Sequence, residues 1–173
     1  MHAMVVRIAG PLLLVLMLGA ASFAGEPATP QASSAPSIDG TYRLISRQFP
    51  DGTVLKPPEL MGLWTYTKTH RHLNTIRKDA TGKFASFSIV STYTLTATAY
   101  TETLLFSLRT DQPGGKDPVY DLSGQTRSAP VTVDGGRLQF TLPFEPRALI
   151  FEGNKVTATA ANNANVDIWE KVE

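Results

Sequence analysis

The sequence contains no cysteine, and it has almost no excess of charge of either sign. Without cysteine, disulfides cannot hold the fold in an oxidising compartment, and no lipid-modified N-terminus of the bacterial lipoprotein kind can form, so stability must come from a packed core. Sixteen Lys and Arg residues stand against fifteen Asp and Glu residues. The single basic cluster, "RHLNTIRK" at Arg71–Lys78, has the composition of a solvated hairpin flank. We therefore predict no nucleic-acid partner.

Long apolar runs are also scarce, and the one present lies near the N-terminus. The run from Ile8 to Ala21 is shorter than the roughly 20 residues that span a bilayer, which argues against a membrane anchor. Arg7 precedes it, and Ser22 and Ala24 offer small side chains at the two positions that a signal peptidase reads. The pattern predicts a signal peptide over residues 1–24, export to the periplasm or the medium, and no stable membrane insertion after cleavage.

Residues 25–37, "GEPATPQASSAPS", are rich in Pro, Ala and Ser and show no apolar periodicity. This composition predicts a flexible leader. The segment from residue 38 to residue 173 has the length of one domain with a substantial core, and it is too short to suggest two.

From Ile38 onward the hydrophobic period is two, and no helical repeat is found. Strand-like segments rich in Thr, Val, Ile and aromatic residues alternate with turn sequences such as "PDG", "DATG", "DQPGGKDP", "DGG" and "EGN". One segment, "YTLTATAYTETLLFSL", has the pattern of a single long strand. The sequence predicts an all-β fold of about eight to ten antiparallel strands, arranged as a barrel because a closed barrel leaves no edge to aggregate.

Two segments carry a resemblance to a known family. The segment Gly40–Lys78 opens with a Gly-x-Tyr-x-Leu strand and an Asp-Gly turn, and Lys155–Val172 ends in Trp-Glu-Lys. Both resemble the bacterial lipocalin-like domain, whose first motif is Gly-x-Trp-x-Leu. Gly40 and Leu44 match that motif, whereas Tyr42 stands where the family usually has Trp.

The family's second motif, Gly-x-Leu-x-Tyr, corresponds to Gly62, Trp64 and Tyr66. Residues 84–134 do not align with the family pattern. The resemblance implies a small calycin-type barrel that holds a ligand in some members, while many members have no assigned activity.

A ligand cavity and a filled core both fit the sequence of the predicted barrel. In the long Thr-rich segment one face carries Leu95, Ala97 and Ala99, whose small side chains leave space if they point inward. The same alanines would fill the core if they lay under Trp64, Trp169 or Phe140. The cavity alternative gives a site for a small apolar molecule, with polar handles on the adjoining strand; its candidate residues are Trp64, Tyr66, His72, Asn74, Leu95, Ala97 and Ala99.

His70 and His72 have the spacing with which some β-barrel metal sites begin. A metal site needs about three or four ligands, and the resemblance implies that His70 lies in a hairpin turn, so that the two rings need not share a face. No acidic residue follows within that hairpin until Asp79. We predict no metal and no cofactor.

Two further function classes stay open. An enzyme of the cyclase or isomerase kind would use His72 and one buried acid, such as Glu102, for proton transfer, although we expect Glu102 to point outward. A protein-facing module, such as an inhibitor of a secreted hydrolase, is the third alternative. No acid–base pair is recognisable in the sequence, which favours binding over catalysis.

Overall fold

The computed structural model describes residues 37–78, 81–110 and 117–172. The predicted signal peptide and residues 25–36 of the leader lie outside the described residues. The described chain forms a short 3-10 helix, Ala161–Asn163, and thirteen strands: β1 Gly40–Gln48, β2 Val54–Leu55, β3 Leu60–Tyr66, β4 His70–Lys78, β5 Phe84–Leu95, β6 Ala99–Arg109, β7 Val119–Asp121, β8 Thr126–Pro130, β9 Thr132–Asp134, β10 Arg137–Thr141, β11 Arg147–Glu152, β12 Lys155–Ala160 and β13 Val166–Lys171.

The strands form one curled antiparallel sheet, a half-barrel, in the order β7-β6-β5-β4-β3-β1-β13-β12-β11-β10-β9. β8 pairs with β6, and β9, which begins after Val131, pairs with β10. The segment Thr126–Asp134, which contains β8 and β9, therefore links β6 on one side of the curled sheet with β10 on the other. The prediction of an all-β antiparallel fold is confirmed, and the fold is consistent with a lipocalin-like barrel. None of the described segments is a helix with the length and hydropathy needed to cross a bilayer.

Strand alternation sends one set of side chains into the concave side, where they form the core. Part of this interior is filled by aromatic rings. The ring of Tyr100 stacks on Phe140 with centroids 4.3 Å apart and on Tyr93 at 5.5 Å, and Phe140 stacks on Phe151 at 5.8 Å. Such a column contributes large buried apolar area and leaves no space between its rings.

The long Thr-rich segment is not one strand. β5 ends at Leu95 and β6 begins at Ala99, and the Oγ1 of Thr96 accepts hydrogen bonds from the backbone N–H groups of Thr98 and Ala99. A threonine hydroxyl can direct a turn in this way without Gly, Pro, Asn or Asp. Because no such residue is present, the period of two runs through the turn unbroken, and the prediction of a continuous strand is wrong.

The hairpin changes which side chains face the core. Tyr100, Glu102 and Leu104 are buried, whereas Ala97 lies exposed in the turn. The expectation that Glu102 points outward is therefore wrong, and its side chain is fully buried. A three-residue turn resets the strand alternation, so a pattern extrapolated across it assigns the wrong face to β6.

Candidate functional site

The concave side of the sheet contains a cavity of about 300 Å³, here called the inner cavity. Its apolar wall consists of Trp64 on β3, Leu73 on β4, Phe87 on β5 and Trp169 on β13. The filled aromatic column does not include these side chains. The half-barrel thus has a packed part and a hollow part.

Small residues on β12 leave the volume of the cavity open, and a glycine on β3 makes room for one of the tryptophans in its wall. The inward side chains of β12 beside the cavity are Ala158 and Ala160, where larger residues would fill the volume. On β3, a Cβ added at Gly62 would lie 2.8 Å from Cη2 of Trp169 and 3.0 Å from Cγ2 of Thr75. Glycine at position 62 therefore allows the Trp169 ring to lie against the backbone of β3.

The two tryptophans form the centre of the apolar wall. Their ring centroids are 5.3 Å apart and the planes meet at 70°, an edge-to-face contact. The guanidinium carbon of Arg71 lies 5.0 Å from the centroid of the Trp64 ring. Neither indole N–H has a hydrogen-bond partner among the described residues. A change in the contents of the cavity would therefore alter the surroundings of both fluorophores.

Charged side chains form the polar wall of the cavity. Arg47 donates two hydrogen bonds to the carboxylate of Asp167, at 2.6 and 2.7 Å. Arg147 reaches the same carboxylate at 3.3 Å and donates to Oδ1 of Asn165 at 2.9 Å. Burial lowers the pKa of Arg147; Asp167 opposes this shift, and the neighbouring guanidinium of Arg47 adds to it. One buried carboxylate is therefore shared by two guanidinium groups.

A buried charge cluster, composed of Arg71, Glu102 and Glu145, adjoins the cavity. Arg71 donates to Oε1 of Glu102 at 2.8 Å and also forms a hydrogen-bonded ion pair with Glu145, which itself lines the cavity. Ser91 Oγ donates to Glu102 Oε1 at 2.5 Å. Burial alone would lower the pKa of Arg71, but the two carboxylates outweigh it and raise that pKa. Arg71 therefore stays positively charged inside the core.

The structure separates the residues that the sequence suggested as cavity lining. Trp64 lines the inner cavity, and Tyr66 is buried in the adjoining core. Leu95 is half-buried against the core, and Ala99 is half-buried at the start of β6. Ala97 is exposed in the Thr96–Thr98 turn and lines neither wall. The single face proposed for Leu95, Ala97 and Ala99 does not exist, because the turn divides it.

His72 and Asn74 lie on the outer surface and are not polar handles of the inner cavity. The β3–β4 hairpin pairs Tyr66 with Arg71, so the inward positions of β4 are Arg71 and Leu73. The residues between and after them, His72 and Asn74, are exposed. The register of a hairpin is set by its turn, here Thr67–Thr69, and a shift of one residue would have reversed both faces.

The two histidines share a face after all. His70 is the first residue of β4, so alternation places it on the same outer side as His72, with ring centroids 6.4 Å apart. The expectation that His70 lies in the hairpin turn is wrong. Among the described residues no group of three or more His, Cys, Asp or Glu side chains could hold a metal ion. The prediction of a protein that needs no metal stays a prediction.

The acid–base pair suggested for an enzyme is not brought together. The exposed side chain of His72 lies on the convex side of the sheet, while that of Glu102 is enclosed on the concave side. Proton transfer through one substrate requires both groups within hydrogen-bonding reach of it. His72 and Glu102 cannot meet this requirement across the sheet.

A larger depression, here called the outer groove, lies on the convex side of β1, β3 and β4. Its volume is about 690 Å³, and its wall includes the exposed side chains of Met61, Leu63 and Ile76. This groove is more open than the inner cavity, and the only charged one among the described residues that line it is Arg43. A protein-facing module, the third function class considered, would need an exposed apolar surface, and this groove provides one.

Sequence reasoning missed most of the polar wall. Arg47, Arg147 and Asp167 lie on three strands that meet only in the folded sheet, and Glu145 follows β10 in a connecting segment. One signal was available for Arg71: in a hairpin that places Tyr66 inward, the opposite residue of β4 must also point inward. The sequence gives no comparable signal for Glu145.

The fold and this site define a class of protein: an all-β half-barrel with a partly open cavity that has one apolar and one charged wall. A scan against models of protein families found no match to the chain. Searches of curated proteins and of solved structures found no significant similarity either. What the inner cavity holds must therefore be argued from its own geometry.

Proposed function

We propose that the chain is an exported, lipocalin-like binding protein that takes up a small, mainly apolar molecule in the inner cavity. The observation that carries this proposal is a cavity of about 300 Å³ on the concave side of the sheet, walled by Trp64, Phe87 and Trp169. Ligand pockets are typically concave and largely apolar, with a few convergent polar groups, and their volumes begin at about this value. Its size suits a ligand of roughly two or three rings.

Tryptophan fluorescence tests the proposal directly, because both tryptophans of the chain line the cavity. Titration with the neutral aromatic probe N-phenyl-1-naphthylamine should quench or shift the emission with a saturable stoichiometry near one. Ala160→Phe should abolish this response, since the ring would occupy the cavity. Because Ala160 is only half-buried, the melting temperature should fall by no more than a few degrees, less than overpacking of a filled core would cause.

Two matched variants control this experiment. Ala148→Phe introduces the same ring at an exposed position of β11, paired with Thr159 of β12, and should leave binding unchanged. Leu63→Glu places a charge in the outer groove and should also leave binding unchanged. Binding that survives Ala160→Phe but is lost in Leu63→Glu would move the site to the outer groove and refute the proposal.

Export is proposed from residues 1–24, which lie outside the described residues. An apolar run followed by Ser22 and Ala24 is the motivating pattern. N-terminal sequencing of protein isolated from the periplasm or the medium should begin at Gly25. An intact Met1 would contradict the proposed cleavage.

A further inference from the structure

Among the described residues that line the inner cavity, three carry a guanidinium group and two carry a carboxylate. Arg47, Arg109 and Arg147 line the cavity, against Asp167 and Glu145. Both carboxylates are already engaged: Arg47 takes the two oxygens of Asp167, and Glu145 is bonded to the buried Arg71. Arg147 is left with the longer 3.3 Å contact to Asp167 and with the neutral oxygen of Asn165.

Arg147 shares its nearest carboxylate with Arg47 and has only the 3.3 Å contact to it. Its side chain is about 20% exposed, so water screens it only in part. Burial and the charges of Arg47 and Arg109 lower the pKa of Arg147, and the carboxylates of Asp167 and Glu145 offset this only in part. A guanidinium group in such surroundings gains most from an oxyanion, which accepts two hydrogen bonds in the geometry that arginine offers.

The apolar wall lies beside these charges and completes the recognition chemistry. The guanidinium carbon of Arg109 lies 4.5 Å from the centroid of the Phe87 ring, and Phe87 and Trp64 both line the cavity. A planar apolar body and an anionic group can therefore be bound within the same 300 Å³.

We infer that the ligand is a small organic anion: a ring system that packs on Trp64 and Phe87, with one carboxylate or similar oxyanion bound by Arg147 beside Arg109. This inference rests on the proposed function, because it names the chemical class of the molecule that the inner cavity takes up. Asp167 divides its negative charge between Arg47 and Arg147. The bound anion gives Arg147 a negative partner of its own.

Two probes with the same ring skeleton separate charge from shape. The probe 1-anilinonaphthalene-8-sulfonate is N-phenyl-1-naphthylamine with one added sulfonate. The unmodified mature protein should bind the anionic probe about tenfold more tightly at low salt, which corresponds to one charge-assisted interaction. The difference should shrink as the salt concentration rises, because the mouth of the cavity is partly exposed to solvent.

Variants then assign the effect to Arg147. Arg147→Gln should weaken binding of the sulfonate about tenfold and change binding of the neutral probe less than about twofold. Arg137→Gln removes an exposed arginine that lies outside the cavity and should change neither. If Arg147→Gln does not fold, Arg109→Gln provides the test at an exposed position, with a loss of about threefold or more expected for the sulfonate alone.

The outcomes distinguish this inference from the proposed function. Equal affinities for the two probes, or a sulfonate affinity unchanged in Arg147→Gln, would overturn the anion assignment while leaving a neutral binding site. Failure of both probes to bind would refute the proposed function itself. Sulfonate binding that is lost in Leu63→Glu and retained in Ala160→Phe would place the probe in the outer groove and also overturn the inference.

Discussion

Above about pH 10 the protein should unfold in a single steep transition. Four of its five tyrosines are buried, namely Tyr42, Tyr66, Tyr93 and Tyr100. Burial is the main cause that raises their pKa values: that of Tyr42 to about 12, and those of Tyr66, Tyr93 and Tyr100 further. In the unfolded chain the same hydroxyls ionise near pH 10.

The sign of the effect follows from proton linkage. A group whose folded pKa lies above its unfolded pKa stabilises the fold fully below the unfolded value, and this contribution is lost as the pH rises from about 10 towards the folded value. Each tyrosine that ionises only on unfolding lowers the free energy of unfolding by about 1.4 kcal/mol per pH unit in this range. Four such groups give roughly 5–6 kcal/mol per pH unit, comparable to the whole stability of a typical domain.

Absorbance at the tyrosinate band and circular dichroism, recorded together along an alkaline titration, test this expectation. Ionisation of the buried tyrosines and loss of strand signal should coincide. Tyr66→Phe is the informative variant: its hydroxyl has no hydrogen-bond partner among the described residues, so stability at pH 7 should change little while the alkaline slope becomes shallower. Four tyrosinates formed near pH 10 in a protein that keeps its fold would contradict the prediction.

Arg71→Met should destabilise the protein by about 3–5 kcal/mol, the cost of leaving buried charges without their partner. Arg71 and Glu102 are fully buried, and Glu145 is about 7% exposed. Removing the guanidinium leaves two carboxylates in the core with no cation of the cluster. Methionine retains much of the arginine's length, so the loss reports mainly on charge and less on packing volume.

A surface pair supplies the matched control. Arg137 and Glu152 form an ion pair at 3.3 Å with side chains about half exposed, and Arg137→Met should cost less than about 1 kcal/mol. Adding Glu102→Gln and Glu145→Gln to Arg71→Met should recover part of the stability, because the unpaired charges are then removed. Chemical denaturation measures all three variants. A loss in Arg71→Met no larger than that in Arg137→Met would show that the buried charge cluster does not stabilise the fold.

The period of two in hydrophobicity identified most of the long strands, because burial of one sheet face makes apolar and polar residues alternate along each strand. It missed the turn at Thr96–Thr98, since the hydrogen bonds that form this turn come from a threonine whose residue type also suits a strand. Because this turn was missed, Ala97 was assigned to the inner face and Glu102 to the outer face, whereas Ala97 is exposed and Glu102 is buried. The predicted site therefore included a single face of Leu95, Ala97 and Ala99, which the fold does not form.

The site depended on contacts that no local pattern encodes. Arg71 bonds to Glu102, 31 residues away, and to Glu145, 74 residues away. Arg47 bonds to Asp167 across 120 residues. Trp64, which matches the second motif of the resemblance, was among the candidates of the cavity alternative, and it lines the inner cavity. Its partner Trp169 was considered as part of the closing Trp-Glu-Lys motif and as a residue that covers the alanines, but not as a cavity residue.

By itself, the sequence determined that this is an antiparallel all-β domain whose fold does not depend on disulfides, because strand periodicity and the absence of cysteine are properties of the chain alone. Only the tertiary structure decided which residues surround the cavity and which of them carry its charge. The physical reason is that each face assignment depends on turn register, and each charged contact depends on strands distant in sequence that become neighbours only when the sheet curls.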